Sequence, residues 1–184
     1  MREKLSDGKI IIRRYKREDI DDQYEAAIES RNDVFPYLPW CHPKYSRKDS
    51  ETWIRMQDRL WNEKKEFKFA IVYKKTDRYL CGTGINNINT VYKFANLGYW
   101  IRTSAVRKGV ATAAAMLTAR FGFEDLKLNR LEIVVHPDNI ASRHVAKNIG
   151  AVLEGTLRNR LAMHGEVFDA VCFSLIPEDP GFRT

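Results

Sequence analysis

An α/β (α+β) layer fold built on one mixed sheet is what this 184-residue chain predicts, and three observations predict it. Apolar residues change along the chain between a period of 2 and a period of 3.6, giving the element order β-α-α-β-β-β-α-β-α-β-β. No internal repeat and no Gly/Ser/Pro-rich linker divides that order. The length is that of one ordinary domain, so residues 1–184 read as a single domain.

Each element has its own warrant. Residues 9–15 cluster β-branched side chains as a strand. A helix follows, with Ile20, Tyr24 and Ala27/Ile28 at helical spacing behind an acidic first turn of Glu18 and Asp19. Residues 33–45 hold three prolines and four aromatics, which break regular structure but leave apolar surface to seal a core or line a pocket. Ser46-x-x-Asp49, a variant capping box, opens a second helix with Trp53, Met56 and Leu60 on one face. From Phe67 to Tyr73 the period is 2, a polar turn follows, and strands are expected at about 79–89 and 94–101. Val110, Ala114, Leu117 and Phe121 then return to helical spacing, on a helix thinned by alanines. Leu131–Val135 reads as a buried strand, 139–148 as a helix closed by Gly150, and 151–160 and 167–175 as the last two strands.

Composition excludes several classes. Hydrophobic residues are 44% and charged residues 30%, so the chain is neither low-complexity nor disordered. No apolar run approaches the ~18 to 20 residues of a membrane helix, and the start lacks a signal-peptide apolar region; a soluble protein of the cytoplasm is expected. Cys41, Cys81 and Cys172 fit neither a disulfide framework nor a zinc spacing, and His42, His136, His144 and His164 show no ligand spacing, so no metal is expected. The net charge of +7 favours an anionic partner: a polyphosphate cofactor, an acidic protein or nucleic acid. No nucleic-acid motif accompanies it, which counts against the last.

The chemistry concentrates after the strand at 94–101. Ile101-Arg-Thr-Ser-Ala-Val-Arg-Lys-Gly-Val-Ala-Thr112 joins a strand to a helix through a basic turn ending in glycine. Such a turn offers backbone N–H groups and a helix N-terminus to an oxyanion such as pyrophosphate. Neither a Rossmann fingerprint nor a P-loop competes: Gly82-Thr-Gly84 lacks a third glycine, and no G-x-x-x-x-G-K-[ST] occurs.

Gly98-Tyr-Trp-Ile, Arg107-Lys-Gly-Val-Ala-Thr112, Asn139-Ile-Ala-Ser-Arg-His-Val-Ala-Lys-Asn-Ile-Gly150 and Leu153-Glu-Gly155 together resemble the GNAT acyl-CoA N-acyltransferase superfamily, in its RimJ/RimL-like, ribosomal-protein N-acetyltransferase-like branch. The resemblance implies a mixed central sheet of about seven strands with about four helices. It also implies acetyl-CoA as co-substrate in a slot where two parallel strands splay apart. The pantetheine arm would pair with the main chain of Trp100, Ile101 and Arg102. The pyrophosphate would rest on Arg107, Lys108, Gly109, Val110, Ala111 and Thr112, Asn139 would bind pantetheine, and Ser142 would lie near the sulfur. The family's turn begins with Gln or Arg where this chain has Val106; because the phosphate contacts come mainly from backbone, binding would be weakened rather than lost.

Acyl transfer to an amine needs a neutral amine, an oxyanion donor and an acid for the leaving thiolate. Ser142 is the candidate acid, and a main-chain N–H of the 98–102 strand the candidate oxyanion donor. Relatives with a glutamate base would place it near Leu161, which accepts no proton. Tyr37 and Trp40 are candidate acceptor contacts; Glu154 and Asp169 are expected to pair with Arg158 or Arg160. The expected activity is N-acetyl transfer to a primary amine, a protein or peptide N-terminus first and a small-molecule amine second, by a monomer or homodimer; the alternatives are a non-catalytic acyl-CoA-binding protein, which Val106 and the missing base suggest, and a nucleic-acid-binding one.

Overall fold

The computed structural model describes residues 1–182. One eight-stranded sheet runs through it in the order β1 (Lys4–Ser6), β2 (Ile10–Arg14), β3 (Phe67–Tyr73), β4 (Tyr79–Asn89), β5 (Phe94–Ile101), β6 (Arg130–Val135), β8 (Glu166–Leu175), β7 (Val152–Met163). The four helices are α1 (Asp19–Val34), α2 (Arg47–Asn62), α3 (Val110–Arg120) and α4 (Ile140–Asn148). The sheet is mixed as expected, with one strand more than the seven read from the sequence. The added β1 is three residues long, below the length at which a period shows, and pairs antiparallel with β2 from Lys4↔Arg13 to Ser6↔Ile11. Its turn is held by Asp7, whose carboxylate accepts the Lys9 and Ile10 N–H groups at 2.8 and 2.9 Å.

Alternation on the strands feeds two apolar layers. Ile12, Phe69, Ile71, Ile85 and Leu97 face α3, where Ala114, Ala115 and Ala119 are fully buried and let the helix lie close. A Cβ at Gly122 would stand 2.9 Å from Ile85 Cδ1 and 3.0 Å from Leu131 Cδ1, so a larger residue there would have to displace these core methyls. The opposite face packs Ala70 and Tyr79 against Ile20 and Ala26 of α1 and Ile54 of α2. Asp49 closes the capping box expected for α2, its carboxylate accepting the Ser46 N–H at 2.8 Å and the Ser46 hydroxyl at 2.7 Å. Helix α1 is longer than its spacing indicated, taking in Asp33 and Val34 before Pro36 ends it. The rest of the proline-rich segment forms a 3-10 turn at Pro39–Cys41.

The parallel contact between β5 and β6 is short. It covers only Phe94↔Arg130, Ala95↔Leu131 and Asn96↔Glu132, after which the two strands part. Every other pairing in the sheet is antiparallel.

Candidate active site

The parting of β5 and β6 opens a cleft of about 1510 Å³ that reaches both faces of the sheet. The Arg102 N–H donates to Leu80 O at 3.1 Å. Antiparallel alternation therefore turns the main-chain groups of Gly98, Trp100 and Arg102 toward β4, and those of Leu97, Tyr99 and Ile101 toward the gap. Of the three residues expected to present main chain there, Ile101 does so. Trp100 lines the cleft with its ring, and Arg102 is turned away, its guanidinium held by the Glu29 carboxylate and by Tyr79 O.

The turn into α3 is preformed. Arg107 and Gly109 both take left-handed backbone, φ 59° and 73°, with Lys108 between them, and the first N–H groups of α3 have no acceptor within the helix. Arg107, Gly109, Val110, Ala111 and Thr112 all border the cleft, so these donors gather on one wall. A Cβ on Gly109 would meet nothing within 4 Å, so what requires glycine is its φ rather than space. Lys108 turns its ammonium back onto Ser104 O at 2.7 Å and leaves the wall to the backbone. Val106 is 47% exposed and adds no polar group. Helix α1 clasps the turn: Glu29 accepts the Ser104 N–H at 2.7 Å beside its Arg102 pair, and Ser30 Oγ accepts the Thr103 N–H at 3.0 Å. The Arg102 guanidinium holds the Glu29 carboxyl down to about 2.

Across the gap, Asn139 caps α4, its side-chain oxygen accepting the Ser142 N–H at 3.0 Å. The Ser142 hydroxyl donates to the Tyr99 oxygen at 3.2 Å, and the Tyr99 hydroxyl donates to Ser142 O at 3.0 Å. Burial pushes the Tyr99 phenol up to about 12, so it stays protonated at neutral pH. Sequence reasoning missed Tyr99; its signal was the period of β5, which sends Tyr99 to the α4 side and Trp100 to the other.

On the α1 side the cleft is roofed by the proline-rich segment. Trp40 meets the Trp100 ring at 5.2 Å and the Tyr45 ring at 5.4 Å, while the Tyr37 hydroxyl donates to Asp138 O at 3.3 Å. Both residues border the cleft and also close it. Leu161 borders it too, opposite Phe168 on β8. Among the described lining residues Asp33 is the one carboxylate, and it accepts the Thr103 hydroxyl at 2.5 Å. The expected pairing of Glu154 and Asp169 with Arg158 or Arg160 is corrected. The register places Glu154 on Arg130 and Ser174, while Asp169 accepts the Asn159 N–H where β7 bulges. Arg130 holds the Glu154 carboxyl at about 2. His136 and His144 line the cleft, His164 packs on Phe35, and among the described residues no cluster of three His, Cys, Asp or Glu could hold a metal.

A family model described as "Acetyltransferase (GNAT) domain" matches residues 9–152. The chain is 30% identical over 172 residues to a Bacillus subtilis (strain 168) protein named "Putative ribosomal N-acetyltransferase YdaF", with 92% of each chain covered. It is 25% identical to the Spermidine N(1)-acetyltransferase of Escherichia coli (strain K12), over 87% of this chain and 82% of that one. A solved structure described as a "putative ribosomal-protein-serine acetyltransferase from Vibrio cholerae" superposes with a TM-score of 0.79 at 26% identity, covering 95% of this chain and 97% of that one.

Proposed function

Since the chain belongs to the GNAT family of N-acetyltransferases, we propose that it moves acetyl from acetyl-CoA to the α-amine of a protein or peptide N-terminus by direct attack. The observation that carries this reading is the gap between β5 and β6: it joins an anion cradle on one face of the sheet to a roofed pocket on the other. The left-handed Arg107 and Gly109 and the open first turn of α3 fit a pyrophosphate. The free main-chain groups of Tyr99 and Ile101 fit an amide-bearing arm laid along β5. When bound, acetyl-CoA supplies an activated acyl group and a thiol leaving group. Asn139, its oxygen committed to the α4 cap, offers its amide N–H groups to the arm. Ser142 supplies the proton for the departing sulfur, and Tyr99, bonded to the same hydroxyl, sets where that hydroxyl sits.

The amine must arrive neutral, and Leu161 offers no base. An N-terminal amine has a pKa of ~7.7 to 8.0 and a lysine ~10.4, so at pH 7 freeing the neutral form costs roughly 1 to 1.4 kcal/mol for the first and about 4.6 for the second. That difference favours the α-amine by more than about a hundredfold in reactive fraction. Two acceptors should therefore be compared in competition at pH 7 by free-thiol release: a peptide with a free N-terminus and its N-blocked, lysine-containing counterpart. The free N-terminus is expected to be acetylated faster, with rates rising along its own amine titration; faster acetylation of the lysine peptide refutes the reading. The same assay with spermidine tests the small-amine alternative.

A further inference from the structure

The floor of the acceptor pocket carries an unusual row. Strand register sets Lys68, Gly84 and Gly98 side by side across β3, β4 and β5, on the face that also carries Trp100. A Cβ on Gly84 would fall 2.6 Å from Lys68 Cδ and 2.5 Å from Phe67 O, so the lysine stem lies where a side chain would otherwise stand. On Gly98 a Cβ would meet nothing closer than Asn96 Nδ2 at 3.8 Å, so the floor beyond the stem is bare. A long cationic side chain is thus laid along a surface cleared of side chains, inside the cleft.

That cation is poorly matched within the chain. The side chain of Lys68 is only 18% exposed, and its ion-pair partner Glu66 stands 3.6 Å away, wider than a hydrogen bond. Burial pushes the ammonium downward from its ordinary range, against the opposing pull of Glu66. The next row adds amides: Asn86 and Asn96 face each other across β4 and β5, and Asn96 Nδ2 donates to Asn86 Oδ1 at 2.8 Å. This leaves one Asn96 proton and the Asn86 amide N–H groups without a partner in that pair. Asp33, the carboxylate among the described lining residues, is engaged by Thr103 beside the α3 turn.

We propose that Lys68, with Asn86 and Asn96 beside it, forms an anion subsite that selects acceptors bearing a carboxylate next to the amine, such as a peptide with an acidic residue at its second position. The inference rests on the N-terminal reading above and names its specificity. A carboxylate would complete the half-compensated ammonium and take the free amide protons; a second cation would meet like charge in a desolvated pocket.

Three peptides identical except for Asp, Asn or Lys at position 2 decide it. With the unmodified protein, kcat/KM should fall in that order, with about tenfold or more between Asp and Lys. Lys68→Met, which keeps the stem over Gly84, should bring the three within about twofold of one another with acetyl-CoA affinity unchanged, and Lys68→Glu should reverse the order. Equal rates for the three peptides with the unmodified protein, or preference for Lys, overturn the subsite while leaving N-terminal transfer intact. Because that series uses the natural protein, it decides the matter even if neither variant folds. Transfer to none of the three overturns the N-terminal reading and the subsite with it.

Discussion

Two hydroxyls, those of Ser142 and Tyr99, lie where β5 and β6 have just parted, and their hydrogen bonds run in opposite senses. Tyr99 gives its proton to the Ser142 carbonyl, while Ser142 gives its own to the phenol oxygen, so the serine hydrogen is the one that turns toward a new acceptor without breaking the tie between strand and helix. Ser142→Ala should lower kcat by about 10²-fold with little change in acetyl-CoA affinity, the usual scale of a general acid. Tyr99→Phe leaves the serine proton but removes its anchor and should cost less. The double variant should be no slower than Ser142→Ala by more than a few-fold, because both changes break one unit. Steady-state kinetics on the three proteins checks this; wild-type turnover in Ser142→Ala removes the serine from the mechanism. Sequence alone could nominate Ser142 through its motif. It could not show that the hydroxyl is held by Tyr99, because Tyr99 and Ser142 are 43 residues apart in the chain and only the fold brings them together.

Among the elements, the turn from β5 into α3 is the most exactingly built. Its anion donors depend on two left-handed residues, and Gly109 is one that a side chain would strain although nothing crowds it. Gly109→Val, β-branched and poorly suited to positive φ, should raise the acetyl-CoA dissociation constant by about tenfold or more. Gly109→Ala should cost less, and Arg107→Ala should cost a single exposed contact. Calorimetric titration compares them, and equal affinity in Gly109→Val and wild type would rule the turn out as the phosphate site. This turn was legible because glycine before a helical period, after a strand, is a local signal. The helices and the long strands were legible for the same reason. Less local features were not: β1 is too short to show a period, the β7 bulge that sends Asp169 to Asn159 depends on pairing with β8, and the main chain of Arg102 is turned from the slot by its register with Leu80 on β4. Lys68 gave no signal either, since one lysine in an alternating strand reads as solvated until the register shows glycines beside it.

At the scale of the molecule, the cleft parts the sheet only at its open end, while one apolar core under α3 joins Ile85 and Leu97 on one side to Leu131, Ile133 and Phe173 on the other. Strands β1–β5 meet β6, β8 and β7 through three parallel residue pairs and the Asn129 N–H, which donates to Lys93 O at 2.7 Å; across the gap itself Tyr99 meets Ser142, Tyr37 meets Asp138 and the His136 ring, and the His164 ring meets Phe35 O. A ligand laid along β5 with its phosphates on α3 would touch both parts, through Ile101 and Gly109 on one side and Asn139 and Ser142 on the other. A ligand that binds only the folded chain stabilises it by about 2.7 kcal/mol at a hundred times its dissociation constant. For a chain of this length each kcal/mol is worth roughly 2–4 °C, so coenzyme A should raise the melting temperature by about 5–11 °C. The distribution of that gain is the sharper test. Hydrogen exchange should slow on both banks of the gap, at residues 97–101 and at residues 133–142, because the ligand supplies pairing that the strands lack beyond Asn96 and Glu132. Protection confined to the α3 turn would mean that the phosphates bind while the arm does not lie in the gap, and the transfer geometry proposed for Ser142 would fall with it.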